Sequence, residues 1–264
     1  MDLSKICNEV IEIARQTGAF ILENRPQIST VGISEKSTNN FVTTIDIEAE
    51  KRIVAGLMEL LPQAGVIAEE KTSMQEGKDY NWVVDPLDGT TNFIHGIPCF
   101  AVSIALTKGG EVIMGVVYEI NLDECFYAWK GGGAHLNGKK ISVSSTTHIA
   151  QSLIATGFPY CNFKLLDSYM QLFEYLMKNT HGLRRIGSAA TDLAYVACGR
   201  FDGFYEYGLN SWDVAAGALI VQEAGGSVTD FVSGNNYIFG GEIVATNTVI
   251  HDEFIRAISS FFNQ

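Results

Sequence analysis

Trp82-Val83-Val84-Asp85-Pro86-Leu87-Asp88-Gly89-Thr90-Thr91-Asn92-Phe93 is the stretch on which the fold turns. Its apolar, β-branched beginning predicts a strand, and the strand stops at two aspartates three residues apart. Gly89-Thr90-Thr91-Asn92 follows where a helix would begin. Two carboxylates at that spacing suit a hard cation such as Mg2+, which takes oxygen ligands, and Pro86 fixes the backbone between them with carbonyls exposed. The N–H groups after Gly89 would face any anion held there, because the first turn of a helix leaves its donors unpaired. An Asp-Pro turn followed by an aspartate N-cap fits the same residues, so the stretch by itself leaves both readings open.

Upstream, Gly65-Val66-Ile67-Ala68 reads as a short strand and ends in Glu69-Glu70, either a second strand terminating in carboxylates or a plain surface turn. Thr43-Thr44-Ile45-Asp46 leads into an amphipathic helix over 48–61 with Pro62 behind it, and Asp46 is expected as its N-cap. Residues 2–24 repeat Ile6, Val10, Ile13, Ala14, Gly18 and Ile21 at helical spacing and stop at Pro26. The polar segment 29–40 between them is a mobile loop or hairpin in which Lys36 is solvated.

Downstream, 99–106, 111–118 and 124–129 are strand-like with turns between them, which predicts an antiparallel sheet. Residues 133–140 nearly spell a Walker phosphate loop, but Lys140 stands where Ser or Thr must bind Mg2+. A strand-like 141–144 then follows where a helix must open, so Asn137-Gly138 is a hairpin turn instead. Beyond it, strands at 152–156, 183–186, 201–207 and 243–246 alternate with helices at 163–178, 189–198, 214–223 and 247–262. Ser188 caps the second of these helices, and Ser211-Trp212-Asp213 opens the third. Such alternation predicts a layered α/β unit.

The 264 residues suffice for one large domain or two intimately joined halves, and no linker, repeat or low-complexity tract divides them. We read residues 1–264 as a single catalytic unit. Its halves are roughly 1–148, with the antiparallel sheet and main aspartate motif, and 149–264, with the α/β alternation. With 30 acidic against 18 basic residues and a net charge of -12, the chain is a poor nucleic-acid binder, and an anionic substrate must be attracted locally. Cys7, Cys99, Cys125, Cys161 and Cys198 are scattered and odd in number, which points to reduced core thiols and a cytoplasmic location. No apolar run approaches the roughly 18 residues of a membrane span. The histidines form no zinc motif, and neither G-x-S-x-G nor G-x-G-x-x-G occurs.

Three acidic positions now stand at element ends: Glu69, Asp85 with Asp88, and Asp213. Burying them together without cations would be costly, so a shared cluster predicts metal. At this point the sequence resembles the inositol monophosphatase family. Asp85-Pro86-Leu87-Asp88-Gly89-Thr90-Thr91-Asn92 is similar to its D-P-[IL]-D-G-T-x-N signature, and Trp212-Asp213-Val214-Ala215-Ala216-Gly217 resembles its W-D-x-A-[AG]-G signature. Ala68-Glu69-Glu70 matches its G-E-E element with Ala for Gly, and Thr44-Ile45-Asp46 its T-x-D segment.

The resemblance implies an α-β-α-β-α layered sandwich of the inositol monophosphatase and fructose-1,6-bisphosphatase type. It implies a homodimeric, Mg2+-dependent, Li+-sensitive phosphomonoesterase with two to three Mg2+ per active site. By that likeness Glu69, Asp85 and the Leu87 carbonyl hold a first metal, and Asp85, Asp88 and Asp213 a second. Glu69 shares a weaker third site near the loop of Lys36. Asp46 and Thr90 would orient and deprotonate the attacking water, with Glu69 at the same catalytic centre. The amides of Gly89 and Thr90 bind phosphate, while Gly187, Ser188, Ala189 and Glu206 contact the hydroxyls of a small phosphorylated metabolite. Asp192 matches no family role. Inositol 1-phosphate is the expected substrate; NADP(H), fructose 1,6-bisphosphate and 3'-phosphoadenosine 5'-phosphate are the alternatives. A metal-binding regulatory protein without turnover is the rival of a different class, and no EF-hand loop supports calcium buffering.

Overall fold

The computed structural model describes residues 1–25, 34–37, 40–73, 76–160 and 162–262. Strand Tyr80–Asp88 sends Trp82 and Val84 into one core and Val83, between them, into another. A strand apolar on both faces must be covered on both sides. Helices α1 (Leu3–Asn24) and α2 (Thr44–Leu60), separated by the hairpin β1 (Ser34–Ser37) and β2 (Asn40–Val42), cover the first side. They lie on a seven-stranded sheet of β3 (Gly65–Ala68), β4 (Tyr80–Asp88), β5 (Ala101–Lys108), β6 (Glu111–Glu119), β7 (Glu124–Trp129), β8 (Gly133–Leu136) and β9 (Lys139–Lys140), paired in that order. The short helix α3 (Thr90–His95) leaves the end of β4. The sheet is antiparallel except at its β3–β4 edge, which is parallel.

The remaining strands are β10 (Leu153–Thr156), β11 (Gly182–Arg184), β12 (Gly203–Tyr207), β13 (Ser227–Thr229) and β14 (Glu242–Thr246), ordered β11-β10-β12-β14-β13. Helices α4 (Leu166–Asn179), α5 (Ala189–Ala197), α6 (Ser211–Glu223) and α7 (His251–Phe262) lie between or after them. Residues of α5 and α6 share one core with both sheets, whereas α4 and α7 pack on the outer face of the second sheet. The result is the expected α-β-α-β-α sandwich. Helix α6 is apolar nearly all round, as a helix between two sheets must be. It lies close on the first sheet because β6 carries Gly115: a Cβ there would come within 2.7 Å of the Ala216 carbonyl oxygen.

The structure corrects several local expectations. Strand β4 does not end at Asp85; pairing with β5 resumes at Asp88 across an irregularity, so both aspartates belong to one bulged strand. The cap of α2 is Thr43, not Asp46, whose carboxylate accepts the Thr43 N–H at 2.9 Å and closes a capping box from inside the helix. Residues 141–144 form no strand. Instead Ile141 N donates to Ala134 O and Val143 N to Ala224 O, leading the chain across to the end of α6. The last helix begins at His251 and not at 247, because Thr248 holds φ +70 and Asn247 Oδ1 accepts from Ile250 N. The edge strand β13, three residues long, carries too little pattern to be expected. Among the described residues no helix is long and apolar enough to cross a membrane. Cys7, Cys99, Cys125 and Cys198 are free thiols; Cys161 lies outside the described residues.

Candidate active site

The bulge between Asp85 and Asp88 aims both side chains to one side, and the first turn of α6 brings Asp213 against them. One carboxylate oxygen from each lies within 4.8 Å of the corresponding oxygens of the other two. Each is held by local donors. Asp85 Oδ1 accepts the Leu87 N–H at 2.9 Å. Asp88 Oδ2 accepts the Ser188 hydroxyl at 2.6 Å and the Ala190 N–H at 2.7 Å. Asp213 Oδ2 accepts the Asn210 N–H at 2.6 Å. These carboxyls nevertheless bind protons more tightly than ordinary ones. Burial, then Glu69, Asp88 and Asp213, push Asp85 well up. Burial raises Asp88 to about 6 against its hydrogen bonds, and burial with Asp88 raises Asp213 to about 8. An oxygen-only donor set of mutually repelling acids fits a hard divalent cation.

Gly89, at φ +94, turns the chain out of β4 into α3. A Cβ at that position would sit 3.0 Å from Cys99 O and 3.2 Å from Gly187 O, so only glycine fits against both strands of backbone. Asn92 secures the same crossing by donating from Nδ2 to Cys99 O and Ile186 O, each at 2.8 Å. Thr90 Oγ1 lies 2.9 Å from Asp46 Oδ1 and 3.0 Å from Leu87 O. Burial raises the Asp46 carboxyl above its ordinary range, against hydrogen bonds from Thr43 and Thr90.

Glu69, Asp85, Leu87, Asp88, Gly89, Thr90, Gly187, Ser188, Ala189, Glu206 and Asp213 all line one cleft of about 360 Å³. Asp46 stands behind Thr90. Lys36 falls on β1, and its side chain lies outside the described part of the protein. The Ser188 hydroxyl faces Asp88 and also caps α5 by accepting from Thr191 N, so its side chain is engaged within the protein. Glu206 is 5% exposed and packs where a side chain at Gly157 would stand. Asp192, left without a role by the sequence, is 1% exposed and lines the same cleft, as do Arg185, Tyr160 and Asn162.

One further residue was missed. Glu50 of α2 is fully buried and accepts the N–H of Glu70 at 2.6 Å, and the N–H and hydroxyl of Thr72 at 2.7 Å each. It clamps the loop that leaves β3 with Glu69. Its signal was the spacing from Asp46, one helical turn away on the same face.

This sandwich and this acidic corner define a class, phosphatases that work on small phosphorylated substrates with the help of metal ions. The inositol monophosphatase family profile matches residues 2–261. The Nus factor SuhB of Pseudomonas aeruginosa is 43% identical over 251 residues, covering 93% of each chain. An inositol-1-monophosphatase of Mesorhizobium japonicum is 38% identical over 259 residues, 98% of this chain and 97% of that one. The crystal structure of the extragenic suppressor protein suhB from Bartonella henselae superposes with a TM-score of 0.92 at 39% identity, covering 96% of this chain and 98% of that chain. The chain belongs to the inositol monophosphatase family.

Proposed function

We propose that the protein is a Mg2+-dependent, Li+-sensitive phosphomonoesterase that hydrolyses inositol 1-phosphate to inositol and phosphate. The observation that carries this reading is the convergence of Asp85, Asp88 and Asp213 within 4.8 Å in the cleft that the Gly89–Thr90 turn also lines. Glu69, Asp85, the Leu87 carbonyl, Asp88 and Asp213 would hold two to three Mg2+. Bound there, the cations supply the electrostatic stabilisation from which most of the rate must come, since the uncatalysed reaction needs up to about 10^21-fold and a general base gives only about 10^2 to 10^4.

The chain's own groups do the rest. The Thr90 oxygen takes a proton from the attacking water as its own proton passes to Asp46 Oδ1, 2.9 Å away. Burial of Asp46 strengthens it as the final acceptor. The Gly89 and Thr90 amides hold phosphate oxygens. Glu206 and the backbone of the Gly187–Ser188–Ala189 turn orient the alcohol by its hydroxyls, leaving Ser188 to position Asp88. We propose further that residues 1–264 act as one catalytic unit, as a homodimer in the cytoplasm.

The test is phosphate release from inositol 1-phosphate, NADP, fructose 1,6-bisphosphate and 3'-phosphoadenosine 5'-phosphate, with and without Mg2+ and Li+. The expected result is Mg2+-dependent, Li+-inhibited release led by inositol 1-phosphate. No release from any of them by folded protein that binds Mg2+ overturns it. A second role is favoured by the name of the Pseudomonas relative, a Nus factor, at 43% identity. On that reading Asp85→Asn would lose phosphate release and keep the Nus-factor role, which complementation of a strain lacking SuhB would reveal.

A further inference from the structure

Strand β5 presents two unlike faces. Val102, Ile104 and Leu106 enter the core under α1 and α2, whereas Ala101 and Ala105 enter the core that α6 fills. Ser103 stands between those alanines on the α6 side and is 1% exposed. The small side chains make a shallow bed for the helix, and alanine at 103 would complete it. A buried hydroxyl there needs a partner, which the strand ladder does not supply because it uses backbone groups. Ser103 Oγ donates to the carbonyl oxygen of Trp212 at 3.1 Å.

Both ends of that bond meet the acidic corner. Ser103 is paired with Asp85 in the β4–β5 ladder, the last regular pair before the bulge, so the two side chains share a face. Trp212 immediately precedes Asp213 in the first turn of α6. The path Asp85, Ser103, Trp212, Asp213 therefore joins the sheet's carboxylate to the helix's without crossing the cleft. Within its own turn Asp213 is already tied down, since Oδ2 accepts the Asn210 N–H. What remains to be fixed is that turn relative to the strand.

A second contact lies one helical turn along, where Ala216 rests on Gly115 of β6. Packing of this kind has no direction: it limits how near the helix can come but leaves it free to slide or roll. A hydrogen bond with its angular preference removes those freedoms. The Trp212 carbonyl has two lone pairs and, inside a helix, faces the N–H of the residue four on, so it does not depend on Ser103 to be satisfied. Losing the hydroxyl orphans nothing, and placement is what the hydroxyl adds.

Resting on the metal-dependent phosphatase reading of the cleft, we propose that Ser103 is a positioning residue. Its hydroxyl holds the first turn of α6 where Asp213 can share a cation with Asp85 and Asp88.

Mg2+ demands near-octahedral ligands at roughly 2.0–2.1 Å, whereas Ca2+ accepts looser shells at roughly 2.3–2.6 Å. Calorimetric titration of parent and variants with each cation therefore reads placement apart from stability. Ser103→Ala is expected to weaken Mg2+ binding by about 10-fold and Ca2+ binding hardly at all, so the ratio of the two affinities falls about 10-fold. Ser103→Cys keeps the shape with a weaker donor and should fall between; it decides the matter if the alanine variant does not fold. Ile258→Val, which trims the buried core at α7, should lower Tm and leave the ratio alone. An unchanged ratio in folded Ser103→Ala, or the same loss in Ile258→Val, overturns the proposal. If the parent binds neither cation, the metal reading fails separately, and hydrogen exchange decides. Amides of 210–215 should then exchange faster in Ser103→Ala than in the parent, with α7 unchanged; equal exchange overturns the role of Ser103.

Discussion

The two acidic sides of the cleft treat like charge in opposite ways. In the corner, Asp85, Asp88 and Asp213 crowd together, but each is given backbone or hydroxyl donors that favour the charged form. On the far wall, Asp192 has an orphaned oxygen, and burial pushes both Asp192 and Glu206 well above the usual carboxylate range. Donors favour the charged form in the corner, while the wall is short of them; on the proposed reading it meets the hydroxyls of a substrate. On that reading, the corner serves the reaction and the wall the choice of what reacts.

The sharpest way to break that division is to compare one residue from each side. Asp85→Asn should lower kcat by about 10^3-fold or more, because it removes the most deeply buried carboxylate of the proposed metal set. Glu206→Gln should instead change the ratio of kcat/KM between substrates; equal losses with every substrate would erase the distinction. Next in size is the proton path. Asp46→Asn should cost about 10^2- to 10^4-fold in kcat with little change in KM, and adding Thr90→Ala should cost little more, since the two act as a unit.

Glu50→Gln acts at one remove. It leaves the clamp on Glu70 and Thr72 without its charge and should weaken Mg2+ binding by about 10- to 100-fold, the usual cost of losing support behind a ligand. Calorimetric titration with Mg2+ reads this directly, and an unchanged affinity would reduce Glu50 to a structural part. The smallest effect is thermal. Asp88 and Asp213 hold protons up to about 6 and about 8 in the fold, whereas unfolded carboxylates release them near pH ~4. Between those limits the native state binds more protons than the unfolded one, so stability falls as pH rises from about 4 to about 8. In chelator, Tm should drop by a few degrees from pH 5 to pH 8, and Mg2+ should raise it more at pH 8. A Tm independent of pH would mean the corner is not strained without its cation.

The β4 part of the corner was legible because it is local, whereas Asp213 comes from α6 and was joined to it only through the family resemblance. Asp85, Asp88, Gly89 and Thr90 occupy one strand, one turn and one helix start, so sequence spacing is close to spatial arrangement. Asp46 stands at the start of the expected helix, but its local job there is not the one expected. A side-chain oxygen near a helix start either caps or completes a capping box, and Thr43-x-x-Asp46 held the second pattern. The wall was illegible. Arg185 and Tyr160 come from turns separated by α4, and a lone arginine carries no periodicity to mark it. Asp192 lies in the first turn of a helix, where an acidic residue is ordinary, and only its burial sets it apart.

Gly115 has a bearing on engineering that reaches past packing. Asp85 and Asp88 ride on the sheet and Asp213 on α6, and the bare backbone at Gly115 lets the helix settle against the sheet at Ala216. The gap between the two carriers is thus gauged by a missing methyl group outside the cleft. Anyone wishing to retune such a centre for a larger ion should vary positions 115 and 216 as shims before touching a single ligand.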